Sequence, residues 1–322
     1  MSSKTITKYP HITLEKKSFF RKARTQKELI LITIPYIVFF FIFSYLPLWG
    51  LSMAFQTFRP QLSFWEQDWV GFEHFRNLFA DKYFLIALRN TIAMGLINLV
   101  LHFVTAVGFA LFLNELRMKM YKKLVQTISY MPHFLSWIIV TGILASVLAL
   151  EDGIINDILM ALRIIDSPIH WLGEPGYFWG IVGVSTVWKS MGWNSIIYLA
   201  AMTAINPELY EAAAVDGCGR FGRMWHITLP SIKPTIIILL ILNTGWILNA
   251  SFEVPYLLGN SGLVREVSET IDIFVLRRGF GSQSVRGFSY GTAAGMFKTV
   301  VSVVLITLMN KIAGWAGEEK LI

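Results

Sequence analysis

Residues 211–230 read EAAAVDGCGRFGRMWHITLP, an alanine-rich polar stretch from Glu211 to Pro230 between two apolar runs that are each long enough to cross a bilayer. Everything else can be placed by asking on which side of a membrane this stretch lies. Asn206-Pro207-Glu208, just ahead of it, is a helix start. It offers a side-chain cap, a proline whose missing N–H costs nothing in the first turn, and an acid at the positive end of the helix dipole. Gly217 ends that helix. Gly219 to Ile227 forms a second short one before Pro230 and Pro234, with Phe221, Met224, Trp225 and Ile227 interleaved with Arg220, Arg223 and His226. A connector that only joined two spans would be shorter and blander.

The chain of 322 residues is 54% hydrophobic, 14% aromatic and only 15% charged, where soluble domains carry roughly a quarter charged residues. It belongs in a membrane. A net charge of +7 would suit nucleic acid, but the basic residues cluster in the N-terminal tail and between spans, where membrane orientation explains them. No nucleic-acid partner is expected. The single cysteine, Cys218, excludes an intramolecular disulfide, and no Cys or His pair has the spacing of a structural metal site. Residues 1–28 carry eight lysines and arginines, including Lys4, Lys16, Arg21 and Lys27, with no apolar core of signal-peptide length. They read as a retained cytoplasmic tail.

Leu29 to Phe55 is span one, long enough at about 1.5 Å per residue for a hydrocarbon core of roughly 30 Å. Gln56 to Tyr83 is an outer loop with interface aromatics such as Trp65 and Trp69. Phe84 to Leu113 is span two, and Arg117, Lys119, Lys122 and Lys123 place the following turn inside. Leu124 to Leu150 is span three, and its exit loop is acidic, as suits the outer side. Tyr177 to Ala204 and Thr235 to Leu258 are spans four and five, and Tyr290 to Ile312 is span six. The loop over 259–289 mixes Arg265, Arg277, Arg278 and Arg286 with acids and weakens the positive-inside pattern. The expectation is an all-α polytopic membrane protein with six transmembrane helices and both termini cytoplasmic. Its parts would be a tail (1–28), a first helix with its outer loop (29–83), a core (84–312) holding the inner segment 206–230, and a C-terminal tail (313–322).

At these spacings Glu211-Ala212-Ala213, Gly217, Ile227, Leu229 and Pro230 resemble the EAA loop of binding-protein-dependent ABC importer permeases. The resemblance implies a type I importer permease fold whose cytoplasmic coupling helix sits in a cleft of an ATPase subunit. Glu211, Ala212, Ala213, Asp216 and Gly217 would then form the docking surface, with Gly217 allowing the turn. Cys218 stands where the family often has alanine. Further upstream, Tyr45-Leu46-Pro47, Ala54-Phe55-Gln56 and Trp69-Val70-Gly71-Phe72-Glu73-His74-Phe75 are similar to permeases for oligosaccharides and polysaccharide fragments, alginate-type systems included. This branch implies a second homologous permease in a heterodimer, two ABC ATPase subunits that use ATP and magnesium, and an extracytoplasmic solute-binding protein. It also implies a saccharide substrate and a place in the bacterial cytoplasmic (inner) membrane among lipid. No cofactor is expected in this chain.

Charges inside a span are costly and call for an explanation. Lys189 and Glu253 lie roughly 22 to 28 Å above their predicted inner ends at the helical rise. They either pair with each other or line a polar cavity. On span five Asn243, Trp246, Asn249 and Glu253 recur every three or four residues, one helical face carrying amides, an indole and a carboxylate. An aromatic ring with planar polar partners suits a saccharide path, although polar residues in spans also simply join helices. Asn194, with Trp188 and Tyr198, adds weaker candidates on span four. The histidines lack catalytic spacing, and no phosphate-binding glycine loop is present, so the chain is read as a transport subunit and not an enzyme. Two alternatives stay open: an ion- or proton-coupled transporter or channel using Lys189 and Glu253, and a polytopic membrane enzyme.

Overall fold

The computed structural model describes residues 26–249, 252–279, 281, 287–315 and 317. The expected basic tail lies outside them up to residue 25, as do Arg286 and most of the C-terminal tail. The chain divides into two compact units, residues 1–52 and 53–322. Helix α1 begins in the first at Lys27 and ends at Phe55, as an α-helix over Lys27–Phe40, a π-helical turn over Phe41–Tyr45 and a tighter 3-10 segment over Leu46–Phe55. Pro35 and Pro47 sit inside it. Leu29 through Trp49 are apolar on all sides, the pattern of a helix that faces lipid.

The second unit starts with a two-stranded hairpin, β1 (Gln56–Thr57) antiparallel to β2 (Asp68–Trp69), closed by Gln67, whose side-chain amide donates to the Arg59, Leu62 and Ser63 carbonyls. The outer loop is therefore folded, and α2 (Glu73–Ala80) is held to it by a hydrogen bond between the His74 ring and the Gln56 carbonyl. Next come α3 (Lys82–Glu115), α4 (Lys119–Tyr130), α5 (Trp137–Val147), α6 (Ile154–Ala161) and α7 (Pro175–Thr203). The polar segment that opens at Asn206 forms α8 (Pro207–Val215) and α9 (Arg220–Ser231), followed by α10 (Lys233–Thr244) and α11 (Glu253–Leu258). Short α12 (Arg265–Ser268) and α13 (Ile271–Gly279) lead to α14 (Gly287–Trp315).

Helices α3 and α7 run parallel along their lengths. Ala106, Val107, Ala110 and Leu113 pack on Tyr198, Leu199 and Met202 towards their C-terminal ends, and Met94 packs on Phe178 and Val182 towards their N-terminal ends. A third cluster joins α2, α3, α13 and α14 through Leu78, Phe84, Phe274 and Ala293. Two of the arginines that blurred the positive-inside pattern, Arg265 and Arg277, are used locally. Glu269 pairs with Arg277 at 2.7 Å and Arg265 at 3.4 Å, and the side-chain amide of Asn90 donates to the Glu266 and Glu269 carbonyls. Lys298 of α14 pairs with Asp272 at 2.6 Å.

Two spans expected as single helices are broken. Span three bends by 101° between Phe134 and Trp137. Pro132 supports only a short 3-10 turn, Leu135 is extended, and Ser136 caps a new helix by accepting from the Ile139 N–H. Span five ends as a helix at Thr244. From there the backbone closes i to i+3 bonds, Trp246 to Asn243 at 3.0 Å, Ile247 to Thr244 at 3.2 Å and Asn249 to Trp246 at 2.8 Å. Helices α9 and α10 meet at a further 61° bend. By length and apolarity α1, α3 and α14 each cross a membrane unaided, and the two bent pairs raise the number to five. Helix α7 is 29 residues long, but Ser185, Thr186, Lys189, Ser190 and Asn194 make it more polar than those spans.

Candidate functional site

Two regions carry the candidate residues, the segment 206–230 and a cavity among α3, α7 and α10. In the first the Asn206 side chain accepts from the Glu208 N–H at 3.1 Å, capping α8 as its sequence requires. At the other end the Cys218 N–H donates to the Ala213 carbonyl and the Gly217 N–H to the Ala214 carbonyl, at 2.8 and 3.2 Å. This is a Schellman closure with Gly217 at φ +74°, the left-handed position that favours glycine. A Cβ there would meet no neighbouring atom, so the backbone angle is the constraint and not crowding.

Glu211, Ala212, Asp216, Gly217 and Pro230 are exposed, while Ala213, Ile227 and Leu229 are half-buried, Leu229 against the inner core cluster. Val215 is 88% exposed, and Phe221 and Trp225 are bared beside it, an apolar surface of the kind that marks an interaction site. Tyr210 Oη lies 2.9 Å from Thr228 Oγ1 and joins α8 to α9, while Arg220 fixes the segment to the end of α3 through the Glu115 carbonyl at 3.0 Å and carboxylate at 3.3 Å.

The cavity has a volume of about 440 Å³. Helix α3 contributes Asn98 and His102 to its wall, α7 contributes Asn194 and Tyr198, and the end of α10 with the following turn contributes Asn243, Trp246 and Asn249. Four of the six path residues expected from sequence thus converge. The face they share is not that of a continuous α-helix: with three residues per turn, positions 243, 246 and 249 stay in line along the i to i+3 turns. Gly95 lets α3 approach this turn, since a Cβ would strike the Ile247 carbonyl. Asn98 does not stand out in a span that otherwise reads as uniformly apolar, and His102, without catalytic spacing, reads from sequence as structural. Their i, i+4 spacing was the available signal.

Lys189 and Glu253 lie elsewhere. Neither lines this cavity, and they form no ion pair within 4 Å, although Glu253 exerts a coulombic attraction on the ammonium. Lys189 is buried; its Nζ donates to the His133 carbonyl at 2.6 Å and sits 5.3 Å from the centre of the Trp137 ring. Both partners flank the break between α4 and α5, where a carbonyl has lost its helical donor. Glu253 is exposed in the first turn of α11. Among the described residues no group of three or more His, Cys, Asp or Glu side chains could hold a metal.

A bundle of membrane helices with a capped, apolar-tipped inner loop and a polar cavity between its helices defines a membrane transport subunit. The family described as "Binding-protein-dependent transport system inner membrane component" matches residues 103–316. The chain belongs to that family, a multi-pass component of the cytoplasmic membrane that works with a binding protein. It is 41% identical over 304 residues to protein LplB of Bacillus subtilis (strain 168), covering 94% of each chain. It is 41% identical over 305 residues to the polygalacturonan/rhamnogalacturonan transport system permease protein YteP of the same organism, covering 95% of this chain and 93% of that one. Among solved structures it matches a bacterial alginate ABC transporter in complex with alginate pentasaccharide-bound periplasmic protein, with a TM-score of 0.83, 35% identity, and coverage of 94% of this chain and 99% of that chain. The fold is that of an ABC importer permease, and the chain is a transport subunit and not an enzyme.

Proposed function

We propose that this chain is one permease half of an ATP-driven importer that carries a saccharide, an oligosaccharide or polysaccharide fragment, across the cytoplasmic membrane. The observation that carries the reading is the cavity. Four amides, an indole and a phenol surround a space of about 440 Å³ with no ionised side chain in its wall. Amides hydrogen-bond hydroxyls, and an aromatic face packs on sugar C–H groups. The relatives' printed substrates, polygalacturonan, rhamnogalacturonan and alginate, are saccharides too. In this reading the helices make six spans with both termini inside, α7 being the span surrounded by other helices.

The partners follow from the loop. The exposed face around Glu211, Ala212, Asp216 and Gly217 seats in a cleft of an ATPase, one of two in the complex, and those ATPases use ATP and magnesium. A second, homologous permease completes the path, and a solute-binding protein delivers the saccharide from outside. A relay through Lys189 and Glu253 would require both on a water-filled path, and neither lines the cavity. The test is saccharide uptake by proteoliposomes holding the whole complex, with binding protein outside and ATP inside. Uptake that requires ATP and binding protein supports the reading, and uptake driven by an ion gradient without ATP overturns it.

A further inference from the structure

We propose that α3 reads saccharide hydroxyls through His102, using Nδ1 as a hydrogen-bond acceptor, and that this cavity selects a hydroxyl-bearing face of the substrate and neutralises no carboxylate. The inference rests on the saccharide reading above and specifies what part of the saccharide this subunit holds.

The argument begins with one hydrogen. The Ser190 hydroxyl donates to the Thr186 carbonyl at 2.5 Å, and the same oxygen lies 3.0 Å from His102 Nε2. A serine has a single hydroxyl hydrogen, and here it is committed to Thr186, so in the second contact the serine oxygen accepts and Nε2 carries the hydrogen. No carboxylate lies in the wall to hold a second proton on the ring, so Nδ1 is left with a lone pair. The ring is thus anchored to α7 by one nitrogen and presents an acceptor with the other.

The opposite wall offers the same chemistry. The Asn243 side-chain nitrogen donates to the Leu239 carbonyl at 2.8 Å, which leaves its oxygen as an acceptor on the cavity side of α10. These acceptors suit hydroxyl hydrogens, while the donors of the wall, amides, an indole and a phenol, carry no full charge to neutralise a carboxylate. No lysine or arginine lies in the wall to compensate, since the nearest buried ammonium, Lys189, is committed to the His133 carbonyl. A uronate unit held here would have to direct its carboxylate away from this subunit.

The experiment uses the whole importer in proteoliposomes and two probes, an oligogalacturonate of defined length and its methyl-esterified form, which keeps the ring hydroxyls other than the acid but lacks the charge. His102→Gln places an amide nitrogen where Nε2 sits, preserving the bond to α7 while removing Nδ1. The expected result is a KM raised about 3- to 10-fold for both probes, the size of one neutral hydrogen bond, with kcat nearly unchanged. Ser190→Ala removes the partner of Nε2 but leaves Nδ1 in place, and should raise KM by less than His102→Gln does. A KM unmoved by His102→Gln would reduce the residue to helix packing and overturn the proposal. So would a loss confined to the charged probe, which would make the ring a cation, or a Ser190→Ala effect equal to that of His102→Gln. An unmodified importer that takes up no saccharide, neutral oligosaccharides as well as these two probes, refutes the saccharide reading itself, and needs no variant to be recognised.

Discussion

The Lys189 ammonium donates to the backbone carbonyl of His133 at 2.6 Å, across the gap between α7 and the turn that separates α4 from α5. In an unbroken helix that carbonyl would accept from the N–H four residues on. The bend at Pro132 and the extended Leu135 remove this donor at a depth where water is scarce, and an unpaired carbonyl there is costly. Lys189 replaces it. Lys189→Met should therefore destabilise the protein by about 1–3 kcal/mol, seen as a lower melting temperature in detergent, while Lys189→Gln, which keeps a donor, recovers most of the loss. A Lys189→Met protein that melts with the unsubstituted one would make the contact incidental.

The docking helix makes a prediction about backbone angle. Gly217 holds φ +74° in open space, so Gly217→Asn, which tolerates the left-handed region, should retain the ATPase. Gly217→Val should release it while membrane insertion continues, because a β-branched residue pays about 1–2 kcal/mol or more at that angle. The amount of ATPase recovered with each variant checks this, and equal recovery with valine would contradict the account.

Arg220 ties the docking segment to the C-terminal end of α3, the helix that forms one cavity wall. The pair is half-exposed and contributes little to stability. Arg220→Ala should accordingly leave the complex assembled and lower the stimulation of ATP hydrolysis by loaded binding protein several-fold. Full stimulation would show that motion of the loop reaches α3 by another route.

Within the cavity, Trp246→Ala should raise the transport KM by roughly tenfold through loss of its ring surface, about 1.4 kcal/mol. Glu253→Gln should leave KM unchanged, since Glu253 lies outside the wall. Uptake kinetics of the two variants side by side decide it, and the reverse pattern would return Glu253 to the substrate path.

Much of this arrangement was legible in the sequence, for physical reasons that differ by element. The caps at Asn206 and Gly217 are local backbone chemistry, so the docking helix followed from its own residues. The apolar runs located the membrane helices, because burial in lipid leaves no other option for such lengths. The breaks did not follow. Proline is tolerated in membrane helices, so Pro132 alone could not announce a 101° bend, and nothing in the run after Thr244 distinguishes an α-helical face from the i to i+3 turns that carry Trp246 and Asn249. Lys189 was read as half of an ion pair or as a cavity residue because its partner is a carbonyl, and main-chain groups freed by a bend are invisible until the bend is known.

As proposed, this chain works as the membrane half of an ATP-coupled machine, docked through residues 206–230. Affinity purification from its native membrane in mild detergent, with identification of what co-elutes, is the decisive measurement. A second permease and an ATPase are expected, with the ATPase lost from the Gly217→Val chain. A chain that purifies without either, and whose transport proceeds without ATP, would contradict it.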